Sequence, residues 1–163
     1  MNVSIRREFV VEAPLEHAWQ HLARVEAWPS WAKHIKSVTV EPPGELSPST
    51  VAVFHLAFGL KARFAVTEFV PPRSARVSGP RRNGSTEGLH HWKWISNVLG
   101  STIHYDHRFE PINHDRTKMQ FIIEANDVGF GKFLLLKLYA AMYCKNLDKA
   151  IPNLVAEINA GMR

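Results

Sequence analysis

Apolar and polar positions change period along this chain, and the changes mark its elements. Residues 3–13, "VSIRREFVVEA", half-alternate and carry β-branched side chains, which predicts a first strand. Pro14 suits a first helical turn, and Leu15, Ala18, Trp19 and Leu22 then recur at i, i+3, i+4 and i+7, one face of a helix. Glu16, His17, Gln20, His21 and Arg24 cover the other face, read as solvated. Pro29 ends or kinks that helix at or before Trp28, and "PSWAKHI" (29–35) predicts a second, short helix. From Lys36 the period falls to two. Strands are expected over 36–42, 50–58, 61–70, a short stretch within 71–80, 89–95, 101–112 and 117–127, divided by turn signals such as Asn83-Gly84. No helical stretch separates them, so the sheet is expected to be an antiparallel meander. Residues 131–160 return to a helical period. Leu134, Leu138, Ala141 and Met142, then Leu147, Ile151, Leu154, Val155 and Ile158, are expected on its apolar face, with a bend at Pro152 and termination at Gly161.

A strand, two short helices, a run of antiparallel strands and one long amphipathic helix have an economical solution. The sheet curves, buries one face, and the terminal helix covers it. Large side chains that hold the two layers apart would open an apolar chamber of several hundred Å³, the usual size of a small-molecule site.

The residues that carry a family likeness lie mainly at the start. "FVVEAPLEHAWQHLARVEAWPSWAKHIKSVTVEP" (9–42), with Ala13, Pro14, Trp19, Trp28 and Trp31, resembles the opening of the SRPBCC superfamily. "VTEFVPPR" (66–73) resembles a strand end of the same group. That superfamily includes polyketide cyclase/dehydrase-like proteins, START-type lipid-transfer domains and the birch-pollen-allergen fold. The resemblance implies an α+β helix-grip fold over 1–163 as a single domain. In it a curved antiparallel sheet of about seven or eight strands wraps around the long C-terminal helix, and two short helices follow strand 1. It also implies that Trp28 and Trp31 pack at one end of the grip, with a ligand gate as the sharper alternative.

Strand alternation assigns the inner face. Phe54, Leu56 and Phe58 form one set, and Ala62, Phe64, Val66 and Glu68 a second. His90, Trp92 and Trp94 form a third, Ile103, Tyr105, His107 and Phe109 a fourth, and Met119, Phe121, Ile123 and Ala125 a fifth. From these and the helix, the expected ligand-cavity residues are Phe54, Phe64, Val66, His90, Trp92, Trp94, Tyr105, His107, Phe109, Phe121, Ile123, Leu138 and Met142. Glu68, Tyr105 and His107 are the candidate acid–base groups, because ionisable side chains on an apolar face need a partner. Bringing Tyr105 and His107 inward together is expected to require a β-bulge.

Metal and nucleophile readings find little footing. His17 and His21 lie four apart, but "HAWQH" lacks the glutamate of H-E-x-x-H. In "HYDHRF" a regular strand sends His104 and His107 to opposite faces, so no metal and no cofactor is expected. The chain has no G-x-S-x-G, and Cys144 sits in an apolar helix. That single cysteine excludes an intrachain disulfide and points to a reducing, cytoplasmic setting. The longest apolar run, 133–144, is broken by Lys137 and is too short to span a bilayer, and no targeting segment is expected at the start.

The net charge of +5 and a pI near 9.6 permit weak contact with anionic surfaces, but no basic stripe interleaves with aromatics, which disfavours nucleic acid. Three functions follow in order. The first is binding of a small hydrophobic molecule such as a lipid, sterol or polyketide in the chamber. The second is a polyketide cyclase/aromatase-type enzyme. The third is a non-enzymatic protein docking on RNA, ribosome or membrane through its basic surface.

Overall fold

The computed structural model describes residues 2–72, 89–98, 100–126 and 129–162. Seven described strands form one antiparallel sheet: β1 (Val3–Val11), β2 (Ile35–Glu41), β3 (Val51–Leu56), β4 (Lys61–Val70), β5 (His90–Val98), β6 (Ser101–Asn113) and β7 (Arg116–Ala125). Their order across the sheet is β1-β7-β6-β5-β4-β3-β2, so the meander from β2 to β7 closes with β1 added at its far edge. Helix α1 (Leu15–Ala23) and a 3-10 turn (Val25–Ser30) connect the two edges, and α2 (Phe130–Ala160) lies across the concave face. This is the helix-grip arrangement that the resemblance implies. The short strand expected within 71–80 and the side chain of Phe58 lie outside the described residues.

Three local features depart from expectation. The second short helix starts before Pro29 and contains it instead of starting there: the 3-10 turn runs from Val25 to Ser30, and the amides of Trp31 and Ala32 both donate to the Trp28 carbonyl. On the polar face of α1, Glu16, Gln20 and Arg24 are exposed as expected, but the two histidines dock. His17 Nε2 lies 3.3 Å from the Ile158 carbonyl and His21 Nε2 3.4 Å from Glu157 Oε2, so both rings join α1 to the end of α2. A β-carbon on Gly161 would come 3.0 Å from His17 Nε2, so a larger residue there would have to push that ring aside.

The phase of α2 is the third. Leu136, Leu147, Ala150, Leu154 and Ile158 are buried, whereas Leu134, Leu138 and Met142 are 66%, 64% and 53% exposed. Residues 133–142 are apolar around most of the circumference, so periodicity there selects no face. The better-anchored second half decides the rotation. Arg7 grips Asp148 with Nε at 2.6 Å and Nη2 at 3.1 Å, Ser30 donates to Glu157 at 2.8 Å, and Asn153 donates to the Trp31 carbonyl at 3.3 Å. The Glu12 amide also donates to Asn159 Oδ1 at 2.9 Å. In the first half, Lys132 Nζ donates to the Gly100 carbonyl at 3.1 Å, and Tyr139 is hydrogen-bonded to Tyr105. Helix α2 continues through Pro152 to Ala160.

Candidate functional site

Of the two tryptophans in "EAWPSWAKHI", Trp28 sits where the first half of α2 meets the sheet. Trp28 is buried and its indole N–H donates to the Leu22 carbonyl at 2.8 Å, which holds the ring at a fixed angle. That ring makes edge contacts with Phe54 at 5.4 Å and Trp94 at 5.4 Å, while Trp31 packs behind it at 5.2 Å. Phe64 meets Phe54 at 4.7 Å and Tyr105 at 5.1 Å. Such T-shaped pairs contribute about 0.5–1.5 kcal/mol each beyond the area they bury. They fill most of the space between sheet and helix.

What remains is a cavity of about 70 Å³, not the several hundred expected. Its wall comprises Trp28, His34, Ile35, Phe54, Leu56, Ala62, Phe64, Trp94, Tyr105, His107, Tyr139, Met142, Tyr143 and Asn146. The larger hollow, about 430 Å³, lies on the opposite, outer face of the sheet among Arg6, Lys93, Asp106, Arg108 and Glu124. It is open and charged.

Of the residues expected at the cavity, Phe54, Phe64, Trp94, Tyr105, His107 and Met142 line it. Trp92, Phe109, Phe121 and Ile123 face the same interior but are packed core: Trp92 stacks on His107 at 5.2 Å and sits 5.3 Å from Phe109. Val66 is half-buried away from the wall, and His90 lies near the end of the β4–β5 pair with Nδ1 3.2 Å from the Pro71 carbonyl. Leu138 points outward, for the reason of helix phase given above. Trp28 lines the cavity, whereas Trp31 is packing alone.

Glu68 is displaced by backbone geometry. Val66 pairs with Trp94, but Glu68 pairs with Lys93, so β4 spends one extra residue, Thr67, and its phase inverts. Glu68 therefore faces outward, donor-bound by Lys93 Nζ at 2.6 Å and with His91 Nε2 at 2.7 Å. These two contacts hold its carboxyl below the usual range. Phe69 takes the inward position and packs on Trp19 at 5.5 Å. Between Tyr105 and His107 there is no bulge, because residues two apart on a regular strand share a face.

The cavity's polar members share one electrostatic condition. Burial lowers the His107 imidazole from 6.5 to about 3 and lowers His34 as well. Burial raises the Tyr105, Tyr139 and Tyr143 phenols. Tyr105 accepts from Ser96 Oγ at 3.3 Å, and a hydrogen bond also links it with Tyr139. His107 Nδ1 and the Trp94 indole nitrogen are buried with no hydrogen-bond partner among the described residues. The wall carries no Asp, Glu, Lys or Arg, so it is neutral with unmet hydrogen-bonding capacity.

Sequence reasoning missed Tyr139, Tyr143 and Asn146. The signal was available: stepping back from Leu154 and Leu147 by sevens reaches Ala140, which places Tyr139 and Tyr143 on the inner side. Cys144 is free and half-buried, and no group of three or more His, Cys, Asp or Glu side chains among the described residues is placed to hold a metal ion.

Comparison with known proteins agrees with this architecture. The profile of the family described as polyketide cyclase / dehydrase and lipid transport matches residues 2–156. The Zhui aromatase/cyclase from Streptomyces sp. R1128 superposes with a TM-score of 0.68 at 12% identity, covering 100% of this chain and 97% of that one. Norcoclaurine synthase from Thalictrum flavum gives 0.59 at 15% identity, covering 96% of each chain. A START superfamily protein from Mycobacterium smegmatis gives 0.57 at 18% identity, covering 95% of this chain and 98% of that one. At these identities the likeness is one of fold. No curated protein matches the sequence.

Proposed function

Because the chain belongs to the polyketide cyclase/dehydrase and lipid transport family, we propose that it binds a compact, uncharged, hydrophobic molecule in the cavity between the sheet and the first half of α2. The observation that carries this reading is the wall itself, fourteen residues without a charged side chain, in which burial moves both histidines and all three tyrosines toward their neutral forms. An ionised head group entering there would meet the same desolvation penalty with no counter-charge. Aromatic walls favour a planar occupant, and the unpaired nitrogens of Trp94 and His107 favour one with a hydroxyl or carbonyl.

Size sets a second condition. An apolar cavity of about 150 Å³ accommodates benzene, and this one is near half that volume. A single-ring ligand therefore requires the helix around Tyr139, Met142 and Tyr143 to move outward. Most of the hydrogen bonds and ion pairs that hold α2 lie in its second half, which leaves the first half the easier to displace.

Cyclase-type acid–base chemistry is the second reading, favoured by Tyr105 and His107 sharing one wall. It is weakened by their protonation. An imidazole with a pKa of about 3 is protonated in roughly one molecule in ten thousand at neutral pH and is a poor proton acceptor. The third candidate acid–base group, Glu68, lies on the outer face. Cytoplasmic placement belongs to the same proposal and is supported by the single free cysteine. No described helix is long and apolar enough to cross a membrane.

Calorimetric titration with para-cresol and with para-toluate tests the binding reading. They share a ring and a methyl group and differ in charge at neutral pH. The cresol should bind at least tenfold more tightly (about 1.4 kcal/mol), and Ala62→Phe, which fills the wall, should abolish it while the protein still melts cooperatively. Equal affinity for the two probes, or binding untouched by Ala62→Phe, would remove the proposal. So would a lack of heat with either.

A further inference from the structure

We propose that the outward face of the first half of α2 is a docking surface for an anionic lipid bilayer, an inference that stands apart from what the cavity holds. Leu134, Leu135, Leu138 and Met142 are 66%, 51%, 64% and 53% exposed. Leu134, Leu138 and Met142 follow one another at i, i+4 and i+8, so they form a ridge along the helix with Leu135 beside it. The ridge lies on the side away from buried Leu136 and Leu147. Contiguous exposed apolar surface of this kind marks an interaction site rather than chance exposure.

The charges around the ridge identify its partner. Lys137 flanks it and Lys145 continues it, both exposed, while no Asp or Glu occurs in α2 before Asp148. Leu60, 61% exposed, and the adjacent exposed Lys61 repeat the same pairing at the turn from β3 to β4. That turn and Met142 border one cavity, since Leu56, Ala62 and Met142 all line it. Aliphatic side chains flanked by Lys137, Lys145 and Lys61 fit the acyl–headgroup boundary of a membrane with negative lipids. A second copy of this chain fits less well, because it would set Lys137 and Lys145 against their own kind in an apolar seam. Nucleic acid has no use for four aliphatic side chains at its phosphates. Helix α2 would lie in the interface and not span it.

Met142 belongs to both features, exposed on the ridge and present in the cavity wall. A bilayer that seats the ridge therefore also meets the cavity's edge.

Vesicle flotation tests this with the whole chain, using phosphatidylcholine alone and an equimolar mixture with phosphatidylglycerol. The protein should float with the mixed vesicles and stay largely free of the neutral ones. Leu134→Ser with Leu138→Ser should weaken that association at least tenfold with an unchanged melting midpoint, since both side chains are outside the core. Lys137→Gln and Lys145→Gln should each weaken it about fivefold. The proposal is overturned by no flotation with either vesicle, by flotation that the leucine variants leave intact, or by equal flotation with neutral vesicles. A concentration-dependent dimer that Leu138→Ser dissolves, or retention on RNA without flotation, would also overturn it.

Discussion

Replacing His107 with phenylalanine should flatten the acid side of this protein's stability profile. The imidazole is buried against Trp92, Trp28, Trp94 and Phe121, with ring separations of 5.2, 5.8, 5.6 and 4.7 Å, and its Nδ1 is unpaired among the described residues. Desolvation lowers its pKa from 6.5 to about 3. Above 6.5 the ring is neutral in folded and unfolded chains alike, and stability owes nothing to its titration. As the pH falls below 6.5 the unfolded chain takes up a proton that the folded chain refuses. Stability then declines by up to about 1.4 kcal/mol for each pH unit until the folded ring titrates near 3. Between neutrality and roughly pH 5 the loss amounts to about 2 kcal/mol.

Phenylalanine keeps the ring contacts and removes the proton site. At neutral pH two effects oppose each other: about 1–3 kcal/mol gained by removing an unmet polar group, and a similar loss if the larger ring is overpacked. The absolute change at pH 7 is therefore not diagnostic; its pH dependence is. Urea unfolding at pH 7 and pH 5 should show the wild type losing about 2 kcal/mol more than the variant. His114→Gln is the control, because that side chain is 87% exposed, and it should follow the wild type. Parallel losses in wild type and His107→Phe would refute the burial argument, and with it the neutrality of the cavity wall.

Two further outcomes follow from buried and displaced side chains. Thr117 is fully buried and its Oγ1 donates to the Ala13 carbonyl at 2.9 Å. Thr117→Val should cost about 1–3 kcal/mol in urea unfolding by leaving that carbonyl unpaired, and an unchanged midpoint would show the contact to be idle. Glu68→Gln should change stability by no more than about 1 kcal/mol, the range of exposed ion pairs, and should leave para-cresol affinity as in the wild type. A loss of cresol binding in that variant would return Glu68 to the site.

The period of the chain alone determined that β1, α1, the meander and α2 exist and in what order. Alternation along a strand is set by the backbone, so Ile103, Tyr105, His107 and Phe109 could be assigned to one face before any partner was known. Where local rules bend, the fold decided. A single extra residue at Thr67 turned Glu68 outward and Phe69 inward, because pairing with β5 outranks the pattern of β4 alone. The rotation of α2 was not legible in its apolar first half, only in the spacing carried back from Leu147 and Leu154. Residues 133–142 are apolar almost all round, and ties such as Arg7 to Asp148 and Glu12 to Asn159, between residues far apart in the chain, chose which side meets the sheet. The volume left between the layers was the last decision. It depends on how tryptophans from the 3-10 turn and β5 interleave, and close packing of large rings is a property of their arrangement in space and not of their order in the chain.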